Sequence, residues 1–79
     1  MNKEKQQTDD FTAVFNCREE ELKKAKKQYI KVMGEKSFNK VIQPYIDKGI
    51  MSIFEDNPTK ETAYYVVTLS YYVRQRLDK

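Results

Sequence analysis

A chain of 79 residues, 39% hydrophobic and 34% charged, has room for one small domain with a modest core. It has no His, one Cys and two Gly, which removes the usual neutral-pH acid/base and commonest metal ligand, any internal disulfide, and the material for a phosphate-cradling loop. A net charge of +3 is mild for a dedicated nucleic-acid binder and has the wrong sign for an imitation of DNA.

Residues 1–9 are polar and aperiodic and read as a disordered arm, with residues 10–79 as a single helical domain. Phe11, Val14 and Phe15 follow at the i, i+3, i+4 spacing of one helical face, with Thr8, Asp9 or Asp10 available as a cap. This turn is too short to stand alone and must dock on another element.

The spacing predicts a helix over 17–33. Asn16 offers a capping side chain with Glu19 three residues on, in the manner of a capping box. Glu19, Glu20 and Glu21 fill the first turn and Lys23, Lys24, Lys26, Lys27 and Lys31 follow, as the helix dipole favours. The apolar stripe is Leu22, Ala25, Tyr29, Val32 and Met33, flanked by Ile30, and Gly34 supplies a stop.

Ser37 can cap a middle helix through Phe38, Val41 and Ile42, but Pro44 has no backbone donor and disfavours helical geometry at Gln43. The segment 37–56 is therefore expected to be a kinked helix or two short ones. Ile46, Ile50, Ile53 and Phe54 keep a helical spacing beyond the proline, weakened at Gly49.

Asn57 and Pro58 suit the cap and first position of a last helix. The residues that follow fit two periods. Tyr65, Val67, Leu69, Tyr71 and Val73 form the alternate face of a strand, whereas the start signal and the absence of any turn residue over the next 20 positions favour a helix. The fold class expected is all-α: three main helices, the middle one kinked at Pro44, with a short N-terminal turn docked on them.

The chemistry of enzymes finds little material here. Cys17 has no His to act as base, and the three glutamates that follow oppose its thiolate, so it reads as a small boundary residue. The acidic clusters lack the spacing of a calcium loop, and neighbouring glutamates on a helix point to different faces. No catalytic residue, cofactor or metal is expected. The longest weakly polar run, residues 63–73, is half the roughly 20 residues of a membrane span, and no apolar run follows the charged start. A cytoplasmic protein is expected, with Cys17 reduced.

Binding is what remains. Tyr64, Tyr65, Tyr71 and Tyr72 share one segment with Arg74 and Arg76, and Tyr and Arg are the residue types most enriched at interface hot spots. Their alternative use is as an ordinary core helix. On this reading Tyr64, Val67, Tyr71, Tyr72 and Arg74 form a protein interface, and Val66, Leu69, Val73 and Leu77 face the chain's own core. The protein regulates or inhibits a partner, with a homodimer as the simplest case because twofold dimers lead among soluble oligomers. The other reading is a small nucleic-acid-binding accessory protein, with Lys23, Lys27 and Lys31 on one stripe of helix 17–33 and Arg74 and Arg76 touching phosphates. In its short, Lys-, Glu- and Tyr-rich make-up the chain is similar in style to accessory proteins of phages and plasmids.

Overall fold

The computed structural model describes residues 9–78, and over these it is all-α. The arm expected over residues 1–9 lies, Asp9 apart, outside the described residues. Helix α1 (Asp10–Phe15) leads into α2 (Glu19–Met33). A broken middle segment follows, made of α3 (Glu35–Ser37), a π-helical turn (Phe38–Ile42), α4 (Gln43–Lys48) and a 3₁₀ turn (Ile50–Phe54). The chain ends in α5 (Lys60–Leu77).

Residues 63–73 are helical, so length and capping override β-propensity there. α2 and α5 run antiparallel: Arg76 near the end of α5 meets Glu21 at the start of α2, and Tyr64 near the start of α5 meets Gln28 farther along α2. Ala25 and Tyr29 of α2, Phe38 and Ile42 of the π turn, and Tyr65, Leu69 and Val73 of α5 form one buried cluster, closed by Ala13 and Val14 of α1. Its centre is aromatic. The Tyr29, Phe38 and Tyr65 rings meet edge to face with centroids 5.9–6.1 Å apart.

The caps sit elsewhere than the sequence suggests. Asp9 caps α1, its carboxylate accepting the Thr12 N–H at 2.8 Å, and that bond holds its pKa below the ordinary value. Asn16 does not start α2. It closes α1, its side-chain amide donating to the Thr12 carbonyl at 2.8 Å. α2 begins at Glu19, two residues beyond the expected start at 17, and there Glu21 accepts the Arg18 N–H at 2.7 Å. Likewise Thr59, not Asn57, caps α5 through reciprocal bonds with Thr62, and Pro58 precedes the helix instead of opening it.

The interruption expected at Pro44 is present in another form. Directly ahead of it the register widens to a π turn, closed by the Gln43 N–H on the Phe38 carbonyl. An α turn here would ask Pro44 for a donor it lacks and press its ring on the Lys40 carbonyl. The full break falls at Gly49, whose φ of 120° is open to glycine.

Some apolar residues face outward against expectation. Val32 is exposed, and Ile30 and Met33 make the core contacts in its place. In α1 it is Ala13 and Val14 that are buried, while Phe11 and Phe15 are exposed, because a small residue lets α1 lie close against α5. Leu77, in the last turn of α5, is also exposed.

Ser70 is fully buried, one turn after Val66 and one turn before Arg74, which binds Asp10 of α1. Its hydroxyl has no hydrogen-bond partner among the described residues. Removing a buried, unpaired polar group relieves its desolvation cost, and alanine is the better helix former. Ser70→Ala is therefore expected to stabilise the fold by about 1 kcal/mol, read as a rise in the urea midpoint. A fall in the midpoint would show the hydroxyl to be bonded in solution.

Candidate functional site

α5 has three neighbours and one open side. α2 covers the flank bearing Tyr65, Thr68 and Tyr72, α1 covers the flank bearing Val66, Ser70 and Val73, and the π turn closes the side between them. At 100° per residue this leaves Ala63, Val67, Tyr71 and Gln75 as a stripe facing away from all three. Val67 and Tyr71, one turn apart, are each 54% exposed. Tyr71 is held in place on the surface: its hydroxyl accepts from Gln75 Nε2 at 2.9 Å, and its ring meets that of Tyr72 at 5.4 Å, nearly perpendicular.

The other residues expected at this interface are engaged differently. Tyr64 is half-buried, its ring 5.9 Å from that of Tyr29 and its hydroxyl accepting from Gln28 at 3.4 Å, so it seals the core edge. Tyr72 is half-buried beneath Lys24, whose ammonium lies 5.9 Å from the ring centroid. Arg74 reaches Asp10 Oδ1 at 2.9 Å and clamps α1 onto α5.

Beside the stripe lies a groove that sequence spacing did not reveal. Ile53, Phe54, Pro58, Val66 and Val67 line it with hydrocarbon, and Asp10 and Asp56 stand at its margin. Phe11 extends this apolar surface, its ring 5.3 Å from that of Phe54 at 64°. Phe11 and Phe54 are 43 positions apart, and only the docking of α1 on the 3₁₀ turn brings them together.

The lysine stripe is present as well. Lys23, Lys27 and Lys31 are exposed on the side of α2 opposite its buried residues. Lys26, off the stripe, leans over Phe38 at 5.1 Å from the ring centroid. Arg76 is not with them. Its Nε donates to Glu21 Oε2 at 2.7 Å and its Nη2 to the Asn16 carbonyl at 2.6 Å, at the start of α2. Lys31 is farther along that helix by about 15 Å at 1.5 Å rise per residue, so a phosphate at Arg76 would be remote from it and would compete with Glu21.

Cys17 is half-buried against the core, and burial together with the charge of Glu21 pushes its thiol pKa up, away from the reactive thiolate. The described residues bring no three His, Cys, Asp or Glu side chains together in a group that could hold a metal ion. No described helix is long and apolar enough to cross a membrane. What this surface offers a ligand is hydrocarbon, ring faces and two carboxylates. No family model, curated protein or solved structure matches the chain.

Proposed function

We propose that the chain is a non-enzymatic binding protein that regulates or inhibits a partner protein by laying the outer face of α5 against it. The observation behind this reading is the pair Val67 and Tyr71, both 54% exposed on one stripe and continuous with the apolar groove. Contiguous exposed apolar surface marks interaction sites, and tyrosine gives much contact area for little lost rotamer freedom. Cys17 as the lone cysteine fits a reducing compartment such as the cytoplasm. The test is retention of a protein from native lysate, with and without nuclease, on the wild type and on a Val67→Glu, Tyr71→Glu variant. A band that survives nuclease and disappears in the variant supports the reading. Retention that the variant leaves unchanged overturns it.

A second copy is one partner this stripe can take, and the homodimer is checked first. If it forms, Tyr71→Glu is expected to weaken self-association tenfold or more, about the loss of a hot-spot ring. The helical circular-dichroism signal should stay, because Tyr71 lies outside the buried cluster. Sedimentation of the wild type as a monomer at high micromolar concentration leaves the stripe for a foreign partner.

Nucleic acid is the second reading, favoured by the exposure of Lys23, Lys27 and Lys31 along one stripe. Replacing all three by Gln is expected to flatten the salt dependence of DNA or RNA binding by about one unit of slope per lost phosphate contact. Binding that the triple variant leaves unaltered removes the lysine-face reading.

A further inference from the structure

The groove between the 3₁₀ turn and α5 has a charge character opposite to that of the chain. The protein is +3 overall, yet the groove is lined by two carboxylates, Asp10 and Asp56, and by no Lys or Arg. Its remaining lining is Ile53, Phe54, Val66 and Val67 with small residues between them. The volume is about 230 Å³, below the roughly 300–1,000 Å³ of pockets that enclose a small molecule. A single bulky side chain of a partner suits it better than a free metabolite.

The two carboxylates are not equivalent. Asp10 shares its charge with Arg74 at 2.9 Å. Asp56 Oδ2 accepts the Tyr45 hydroxyl at 2.8 Å, a neutral donor that fixes the carboxylate's direction without cancelling its charge. Glu55 adds a second exposed carboxylate beside Asp56. A cation at the groove margin would therefore meet Asp56 first, next to hydrocarbon that lowers the local dielectric and strengthens the attraction.

We infer that this groove receives a basic segment of a foreign protein, one apolar side chain seated between Phe54 and Val66 and a neighbouring Lys or Arg paired with Asp56. The inference rests on α5 as the docking face. A second copy seated with the two grooves facing across a twofold axis is a poorer occupant, because that arrangement would bring the same carboxylates toward each other.

The probes are two hexapeptides with a central Leu-Phe pair, one flanked by lysines and one by glutamates, titrated into the isotope-labelled full chain and followed by NMR. The lysine peptide is expected to shift resonances of Ile53, Val66 and Val67 and to bind at least about fivefold tighter than the glutamate peptide at low salt, a preference that shrinks near 0.5 M NaCl as screening shortens. Asp56→Asn should remove most of that preference while leaving the Arg74–Asp10 clamp. Ala63→Phe, which fills the groove from its exposed side, should block both peptides with helicity unchanged. Equal binding of the two peptides, shifts that map outside the groove, or groove shifts that appear on concentrating the chain alone would overturn the inference. If the peptides bind alike while the Val67→Glu, Tyr71→Glu variant still loses its lysate partner, only the basic-partner inference falls. If that variant loses nothing, the reading beneath it falls too.

Discussion

Tyr29→Ala is expected to remove more stability than any other single change, read as a large fall in the urea midpoint. Tyr29 has no solvent exposure, and its ring meets those of Phe38, Tyr64 and Tyr65 with centroids 5.9–6.1 Å apart. Truncating a large buried ring to alanine costs about 3–5 kcal/mol, because the cavity closes only in part. At roughly 0.05–0.15 kcal/mol per residue, 79 residues give a total stability of about 4–12 kcal/mol. One substitution therefore removes a large share of the whole. Tyr29→Phe separates the ring from its hydroxyl, which pairs with Ser37 Oγ at 2.7 Å, and is expected to cost only about 1 kcal/mol. Urea titrations followed by circular dichroism measure both. A Tyr29→Ala midpoint equal to the wild type's would mean that the aromatic cluster is not what holds α2, the π turn and α5 together.

The dominance of this cluster explains which parts of the fold the sequence made legible. Ala25 and Tyr29 stand at helical spacing between a charged start and Gly34, and such a pattern has one stable reading, so α2 was plain. In α5 the tyrosines encircle the helix, so periodicity could not say which side is buried. Tertiary contacts decide it: Tyr65 enters the core and donates to the Leu22 carbonyl at 3.3 Å, whereas Tyr71 lies on the open side. Tyr64 shares a stripe with Val67 and Tyr71 at i, i+3, i+7 spacing, and spacing alone places all three on one exposed face. α2 packs against one edge of that stripe and half-covers Tyr64. The groove was illegible for a different reason. Phe11, Phe54 and Val66 come from three elements, and no local pattern encodes the docking of α1 that aligns them.

The start of α2 shows the same limit at the scale of two residues. Asn16 with Glu19 and Arg18 with Glu21 both place a carboxylate three positions after a cap, and local preference favours the asparagine. The structure takes the second pair because Glu21 there also receives Arg76, 55 positions away. A long-range ion pair thus sets the register of a local cap. Both arginines of α5 are committed to structure: Arg74 holds α1 through Asp10, and Arg76 holds the turn between α1 and α2.

That pair has the second largest effect expected of any single change, and it is visible in the pH dependence of stability. The Glu21 side chain is 4% exposed. Burial works against its ionised form, but the bonds from Arg76 at 2.7 and 3.2 Å and from the Arg18 N–H at 2.7 Å outweigh it, and the carboxyl is held below its ordinary pKa. A carboxyl whose folded pKa lies below its unfolded value, about 4.3 for glutamate, adds stability that is fully present above that value and is lost as the pH falls through the folded pKa. The wild type should therefore lose urea resistance below about pH 4. Glu21→Ala is expected to cost about 1.5–3 kcal/mol at pH 7, the range for a hydrogen bond to a charged group, and to flatten that acid limb. Arg76→Ala should flatten the limb too, because it removes the hydrogen bonds and the charge of the guanidinium that hold the Glu21 carboxyl down and leaves burial opposed only by Arg18. The Arg76→Ala variant is then expected to lose less urea resistance than the wild type between about pH 7 and pH 4. Equal acid limbs in the wild type and both variants would show that Glu21 is solvated in solution and that the turn before α2 is held by other contacts.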